Sequence, residues 1–372
     1  MFKKRFVHIV HDEKFIDSAF RDFEEVAPNQ NIFVCIGLKK RLSFIKHSKI
    51  YFVRPRLAWL LSPYSYFFAK AIIFHSVASI FEENLILRIN IKTKVVWISW
   101  GFDLYPRINK LEEYLSKKTK DYFNSIPLTK VDSCFDQKVG FKKSFKVKLS
   151  DEIFISRIDF FSPVLKSEFE LISDKFKIDA NKYLRWNYLN LEEDIVLKNL
   201  DLEISGNSLL LGNSGSIWLN HVDALDELIN LNLKFDKIVV PCSYGDVKYI
   251  DFLKMNLDFK SKHVYFIDGF LPYREYVNIL MSCKYIFINS ERQIALANIL
   301  FFLFYNGIVV IRKQNPIVQW AYEMRLNIIL LDSSDFVMIN GGDIETKNTL
   351  ISYWGKEKKR SLTLSFIEKI EK

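Results

Sequence analysis

The chain has 372 residues, of which 49% are hydrophobic and 26% charged, with only 12 Gly and 9 Pro. That is too long for one ordinary domain and too apolar for a disordered or low-complexity protein, so two globular domains are expected. A net charge of +9 suits nucleic acid, anionic lipid or a phosphorylated small molecule; the basic residues are interspersed with acidic neighbours, and no zinc spacing, basic zipper or RNP-like run is present, which argues against a nucleic-acid partner.

The first apolar segment, Phe6–Val10, follows Met1-Phe2-Lys3-Lys4-Arg5 directly. It is too short for a signal-peptide core and lacks a small-residue cleavage site, so a cytoplasmic setting is expected. Cys35, Cys134, Cys242 and Cys283 lie far apart with no CxxC pair, as in a reduced protein. Further candidate strands are Ile32–Ile36, Ile50–Val53, Ala71–Phe74, Val95–Ser99 and Ile153–Ser156. The polar segment Leu191–Asn207 then interrupts the pattern and marks a domain boundary.

Beyond it, β-branched runs alternate with amphipathic stretches. The strands are Ser208–Leu211, Lys237–Val240, His263–Ile267, Tyr285–Ile288, Ile308–Ile311 and Asn327–Leu330. The helices are Trp218–Leu231, Asp246–Leu257, Tyr273–Ser282 and Ala295–Tyr305. Strands that are apolar on both faces and separated by helices predict a parallel sheet covered on both sides. The charge-free stretch Gln293–Ile311 is long enough for a membrane span, but Asn306-Gly307 divides it into a helix, a turn and a buried strand. The expected fold is α/β, with two doubly wound Rossmann-like domains facing a central cleft. Residues 1–195 form the acceptor-binding half and 196–372 the nucleotide-binding half, the final helix returning to pack on the first.

Ligands in such sheets bind beyond the carboxyl ends of the strands, so chemistry is sought there. After the first strand stand His8, His11 and Asp12; either histidine can serve as a general base or as a structural group. After Val95–Ser99 comes Trp100-Gly101-Phe102-Asp103-Leu104-Tyr105. Asp103 can deprotonate an acceptor hydroxyl, or cap a helix while the aromatics fill the core. In the second half Gly212-Asn213-Ser214-Gly215 joins a strand to a helix. Glycines allow the tight turn, and a helix N-terminus offers free amides and partial positive charge to a phosphate; the plain alternative is a loop with a Ser cap. The turn is neither GxGxxG nor a P-loop. Glu291-Arg292-Gln293 follows another strand. Arg292 can pair with a diphosphate and Gln293 or Asn298 can bond the nucleotide or sugar, against the alternative of a solvated first helical turn. Tyr244, in Pro241-Cys242-Ser243-Tyr244-Gly245, can line the same region, and Asn315-Pro316 has the form of an N-cap with Pro at the first helical position. No His/Cys/carboxylate spacing or DxD-like pair suggests a metal, and Asp151-Glu152 would face opposite ways in a strand. No cofactor is expected and the reaction is expected to be metal-independent.

Taken in order, Trp100-Gly101-Phe102-Asp103-Leu104-Tyr105, Gly212-Asn213-Ser214-Gly215 with Asn220-His221, Val239-Val240-Pro241 with Tyr244, Arg292-Gln293 and Asn315-Pro316 resemble glycosyltransferase family 56. This is the TDP-N-acetylfucosamine:lipid II N-acetylfucosaminyltransferase, or 4-acetamido-4,6-dideoxygalactosyltransferase, family. The resemblance implies a GT-B fold, a dTDP-sugar donor, an undecaprenyl-diphosphate saccharide acceptor and peripheral attachment to the inner membrane. It places Asn220, His221, Tyr244 and Asn315 with the Gly212 turn and Arg292 in the donor site. The chain departs from the family at Ile294-Ala295-Leu296 and around His11, which leaves donor sugar and acceptor open. Lys39, Lys40, Arg41, Lys46, Lys49, Arg54 and Arg56 beside Leu57–Leu61 and Tyr64–Phe68 are suited to an anionic membrane surface, or equally to a buried helix with a solvated basic face. Two rivals remain: a GT-B transferase for a UDP- or GDP-linked sugar, and a non-catalytic nucleotide-binding partner in polysaccharide assembly.

Overall fold

The structure, a computed structural model, describes residues 5–372 apart from 38–41, 43, 62, 63, 65–67, 78, 126–149, 197–201, 231, 232, 258–262 and 332–342. Cys134, Lys39, Lys40, Arg41 and the Ser65–Phe67 part of the aromatic run lie outside the described residues. The chain divides into two compact units. The first comprises Met1–Asn109, Ile126–Tyr188 and Glu357–Lys372, the second Lys110–Ser125 and Leu189–Lys356. These units differ from a division at 195/196 at residues 110–125 and 189–195, which belong to the second, while 357–372, the returning final helix, belong to the first.

In the first unit six parallel strands, β1 (Arg5–Val10), β2 (Asn31–Ile36), β3 (Tyr51–Val53), β4 (Ala69–His75), β5 (Lys94–Ile98) and β6 (Phe160–Ser162), lie in the order β3-β2-β1-β4-β5-β6. β1 and β4 are central and buried along nearly their whole length, as a sheet covered on both faces requires. On one face Phe6, Phe23 and Phe33 pack with Trp186 and with Phe366, Ile367 and Ile370 of the helix Lys356–Glu371.

One expected strand is a helix. Ile153–Ser156 lies within Asp151–Arg157, where the Ser150 hydroxyl caps the Ile153 amide and Asp151 and Glu152 occupy the first turn, favoured by the helix dipole. Periodicity cannot separate strand from helix in so short an apolar run. The sixth strand is instead Phe160–Ser162. Asp151 and Glu152 accordingly sit in one helical turn, with Asp151 2.7 Å from Arg107.

The second unit repeats the design. β7 (Ser208–Leu211), β8 (Lys237–Pro241), β9 (His263–Ile267), β10 (Cys283–Ile288), β11 (Ile308–Arg312) and β12 (Ile328–Leu331) are all parallel, in the order β12-β11-β10-β7-β8-β9. The charge-free stretch forms the helix Leu296–Phe304 and β11, separated by Asn306 in the left-handed region. Seven of the helix's nine residues are buried, so it is apolar almost all round because the protein encloses it. Among the described residues no helix is long and apolar enough to cross a membrane. Numbered from its own first strand, each sheet has the order 3-2-1-4-5-6. This places its topological switch point between β1 and β4 in the first unit and between β7 and β10 in the second.

Candidate active site

At the switch point of the second unit, β7 ends on Gly212, whose φ of 70° suits glycine. A Cβ there would come within 2.9 Å of His221 Nε2 and 3.0 Å of Leu219 Cδ1. Gly215 has a different constraint. It bridges to Gly245, and a Cβ on Gly245 would lie 2.4 Å from the Gly215 carbonyl carbon. The two loops after β7 and β8 thus touch glycine on glycine. Two amides of the turn are already engaged, Gly212 N–H by Phe287 O at 2.9 Å and Gly215 N–H by Tyr244 O at 2.8 Å.

The helix expected to open directly after the turn begins only at His221, following the 3-10 turn Ile217–Leu219 and a left-handed Asn220. A helix N-terminus therefore does not abut Gly212–Gly215. Asn220, fully buried, is a knot within the unit: its Oδ1 accepts from Ser116 N at 2.9 Å, and its Nδ2 donates to Tyr114 O and Asn289 O at 3.2 and 3.1 Å. Asn289 Nδ2 returns a bond to Asn220 O at 3.0 Å. With its side-chain atoms committed to protein, Asn220 is corrected from a donor ligand to a residue that fixes the switch point. His221 is equally buried beneath Gly212, and burial holds its imidazole down to about 3, against a smaller opposing effect of the Ser214 backbone. It therefore supports the turn as a neutral ring.

Around this base the polar groups suited to a ligand are arranged on loops. Tyr244, 48% exposed, accepts a bond from Asn213 Nδ2 at 3.1 Å, and its ring is parallel to that of exposed Phe270. Arg292 lies in the loop after β10 and not in a helical turn, because the next helix starts at Leu296 with Ala295 in the left-handed region. Its guanidinium is 4.7 Å from the Trp218 ring centroid and 5.9 Å from that of Tyr114, a cation–π seat that holds the charge in place. Asn315 both caps its helix, accepting from Ile317 N at 3.0 Å, and donates to Ser290 O and Arg292 O at 2.8 and 2.6 Å. It thereby ties the Arg292 loop to the end of β11. Half-buried Gln293 shares that loop, whereas Asn298 turns away to Tyr276 Oη at 2.8 Å.

The switch point of the first unit is built from titratable groups. His8 Nε2 pairs with Asn31 Oδ1 at 3.3 Å, which makes Nε2 the donor and Nδ1 the acceptor; Nδ1 therefore receives His75 Nε2–H at 2.9 Å. His75 Nδ1 in turn accepts from Tyr188 Oη at 2.6 Å, and Tyr188 Oη accepts from Trp100 Nε1 at 3.0 Å. The chain of donors has one direction and both histidines are neutral. Burial brings His8 down to about 3, and His75 well below the ordinary imidazole value. With both nitrogens bonded and its ring stacked on Phe33 at 4.0 Å, His8 is corrected from a candidate base to a core residue.

Asp103 is likewise buried and bonded to the protein. Only 5% exposed, it accepts from Val77 N at 2.9 Å and Trp97 Nε1 at 2.7 Å on one oxygen, and from Trp100 N at 2.9 Å on the other. Burial pushes its carboxyl up, while those three donors and Arg107 oppose the shift. The motif Trp100–Tyr105 folds a tight turn around this carboxylate. Ser76, which precedes Val77, has φ 102°, a strained backbone at the same switch point.

His11 differs from both. It is only partly buried, and its Nε2 lies 2.7 Å from Glu82 Oε1. Burial lowers its pKa, but Glu82's charge and hydrogen bond, with the charges of Glu13 and Asp103, outweigh that and leave it raised. Sequence reasoning missed Glu82. The legible signal was Ser79-x-x-Glu82, a capping box that the structure contains, with Ser79 N–H donating to Glu82 Oε2 at 3.0 Å.

Two parallel sheets of order 3-2-1-4-5-6, one with a glycine turn and an arginine loop at its switch point and the other with a partly exposed histidine, make up the GT-B fold. Residues 188–349 match the model of the family described as 4-alpha-L-fucosyltransferase glycosyl transferase group 56, the same group that the ordered motifs resemble. The chain is therefore a glycosyltransferase, acting on a nucleotide-sugar donor and an acceptor.

Solved structures share its fold along their whole length at very low identity. A glycosyltransferase from Rickettsia africae ESF-5 is 11% identical with a TM-score of 0.57, over 100% of this chain and 99% of that one. The lipopolysaccharide outer core galactosyltransferase WaaB is 10% identical at 0.59, over 98% and 99%. AviGT4, a glycosyltransferase involved in avilamycin A biosynthesis, is 7% identical at 0.54, over 99% and 97%. No curated protein sequence matches the chain.

Proposed function

We propose that the chain transfers a 4-acetamido-4,6-dideoxygalactose-type sugar from a dTDP-sugar to an undecaprenyl-diphosphate-linked oligosaccharide, in the assembly of a surface polysaccharide such as enterobacterial common antigen, O-antigen or capsule. The carrying observation is that the family match covers the segment holding the Gly212 turn, Tyr244, Arg292 and Asn315. In this reading Arg292, seated on Trp218 and steadied by Asn315, neutralises the departing diphosphate, so that no metal is needed. The Gly212 turn and Tyr244 face the nucleotide-sugar, and His11 takes the acceptor's proton.

The reading places the enzyme peripherally on the cytoplasmic face of the inner membrane. Exposed Tyr51, Leu57 and Leu60 stand near Lys46, Lys49 and Arg54 in sequence, and Trp59 is held by Phe81 and Arg88. Basic charge beside apolar surface suits an anionic leaflet.

The test is incubation with dTDP-, UDP- and GDP-linked sugars and a set of lipid-linked acceptors, with products read by mass. A product formed from the dTDP-linked amino-dideoxysugar is expected. Transfer only from a UDP- or GDP-sugar would replace the donor, and donor binding without any transfer would overturn the catalytic reading.

A further inference from the structure

Three histidines lie at or near the carboxyl edge of β1 and β4, and only one has a nitrogen to spare. His8 and His75 are fully buried and spend their nitrogens on each other, on Asn31 and on Tyr188. His11 is partly exposed, its Nε2 is 2.7 Å from Glu82 Oε1, and Nδ1 has no protein partner among the described residues. Asp103, the carboxylate that the motif singles out, has both oxygens occupied by N–H donors.

Glu82 is in turn fixed from behind. It is 1% exposed, and its other oxygen accepts from the Ser79 amide and hydroxyl at 3.0 and 3.3 Å in the first turn of the helix Ile80–Arg88. A buried carboxylate anchored on a helix, 2.7 Å from one nitrogen of an imidazole whose other nitrogen has no partner among the described residues, is an arrangement able to fix the tautomer of a general base.

We propose that Glu82 is the positioning residue for His11, holding its Nε2–H so that the Nδ1 lone pair takes the proton of the acceptor hydroxyl. This rests on the reading of the chain as a glycosyltransferase with His11 on the acceptor side. In the step it serves, the acceptor oxygen bonds to the anomeric carbon and that carbon's bond to the diphosphate oxygen breaks. The electron pair leaves with the nucleoside diphosphate, and the hydroxyl proton passes to Nδ1. As the imidazole becomes cationic, Glu82 lies against the new charge, which is where a fixed carboxylate lowers the barrier. The charged and titratable groups facing His11 are Glu82, Glu13 and Asp103, with neutral His75 behind them. Of these, Glu82 places an oxygen 2.7 Å from Nε2.

Two measurements on the full-length chain test this. In long-range 15N spectra of the histidine-labelled protein, with the His11 signals assigned by their loss in His11→Asn, Nε2 is expected to carry the proton and Nδ1 to be bare. Glu82→Gln is expected to move the His11 titration to lower pH, while Ser79→Ala, which removes a cap bond and leaves the carboxylate, does not. A proton on Nδ1, or a titration unmoved by Glu82→Gln, overturns the proposal and needs no substrate to do so.

With the dTDP-sugar and lipid acceptor, Glu82→Gln is expected to lower kcat roughly tenfold to a hundredfold with little change in KM. The acid limb of the rate profile should follow His11 to lower pH, because the base must be neutral to act. If His11→Asn turns over normally, the acceptor-side reading itself fails. If His11→Asn is inactive and Glu82→Gln keeps the wild-type plateau and limb, only the role of Glu82 fails.

Discussion

The two units place different residues at the same place in sheets of the same strand order. Where β1 and β4 diverge stand His8, His11, His75, Glu82 and Asp103, most of them bonded to one another or to backbone amides. Where β7 and β10 diverge stand Gly212, Asn220, Asn289 and Arg292, with His221 alone as a titratable imidazole beneath. In the proposed reading the first edge handles the acceptor's proton and the second holds the donor's diphosphate. The difference comes from loops a few residues long on a shared scaffold, as expected when chemistry is carried by sites grafted on a fold.

The comparison is most severely tested at Asp103. If it organises the turn and is no base, Asp103→Asn puts an amide donor against an existing N–H donor in a buried site. The expected cost is about 3 kcal/mol of stability, read by urea unfolding, with turnover per folded molecule largely retained. Full stability with turnover abolished would reverse the assignment.

Arg292→Ala should leave the fold nearly intact and lower turnover roughly a hundredfold, about 2.7 kcal/mol, by removing the charge opposite the diphosphate. Donor affinity measured by thermal shift should fall with it.

Acid should separate the units next. His8 and His221 are at about 3 in the folded protein, and His75 is well below 6.5. Between those values and 6.5 the unfolded chain binds more protons, so stability falls as pH falls through that window, by up to about 1.4 kcal/mol per pH unit for each group. His11, being raised, acts in the opposite sense as pH rises above 6.5. His8→Gln with His75→Gln should flatten the loss between pH 7 and pH 5 about twice as much as His221→Gln does, in unfolding midpoints taken across that range. The smallest effect is expected from Asn315→Ala, about 1 kcal/mol for the lost cap, with a severalfold fall in kcat as the Arg292 loop loosens.

Much of the second sheet was legible because its strands are short, largely apolar runs separated by helix-length segments. The first sheet was harder to read. Phe160–Ser162 is only three residues long, and Ile153–Ser156 looks like a strand until the Ser150 cap is noticed.

In the site, residue types were readable and partners were not. Gly212 and Gly215 stand out in the sequence, but that Gly215 meets Gly245 is set by the loop after β8. Asn220 reads as a ligand only until Ser116 and Asn289 arrive to occupy it. Glu82 carried a visible capping signal, yet its second partner, His11, comes from the loop after β1, some seventy residues earlier.

The helix Lys356–Glu371 has a bearing on how the chain is made. Phe366, Ile367 and Ile370 close the core around Phe6, Phe23 and Trp186, so a nascent chain that has emerged only to residue 188 still shows bare aromatic surface to whatever binds it. The second unit has all its segments once residue 356 is out. On the ribosome the half synthesised last can therefore be the half finished first. The unit that holds β1 is completed only by residues 357–372.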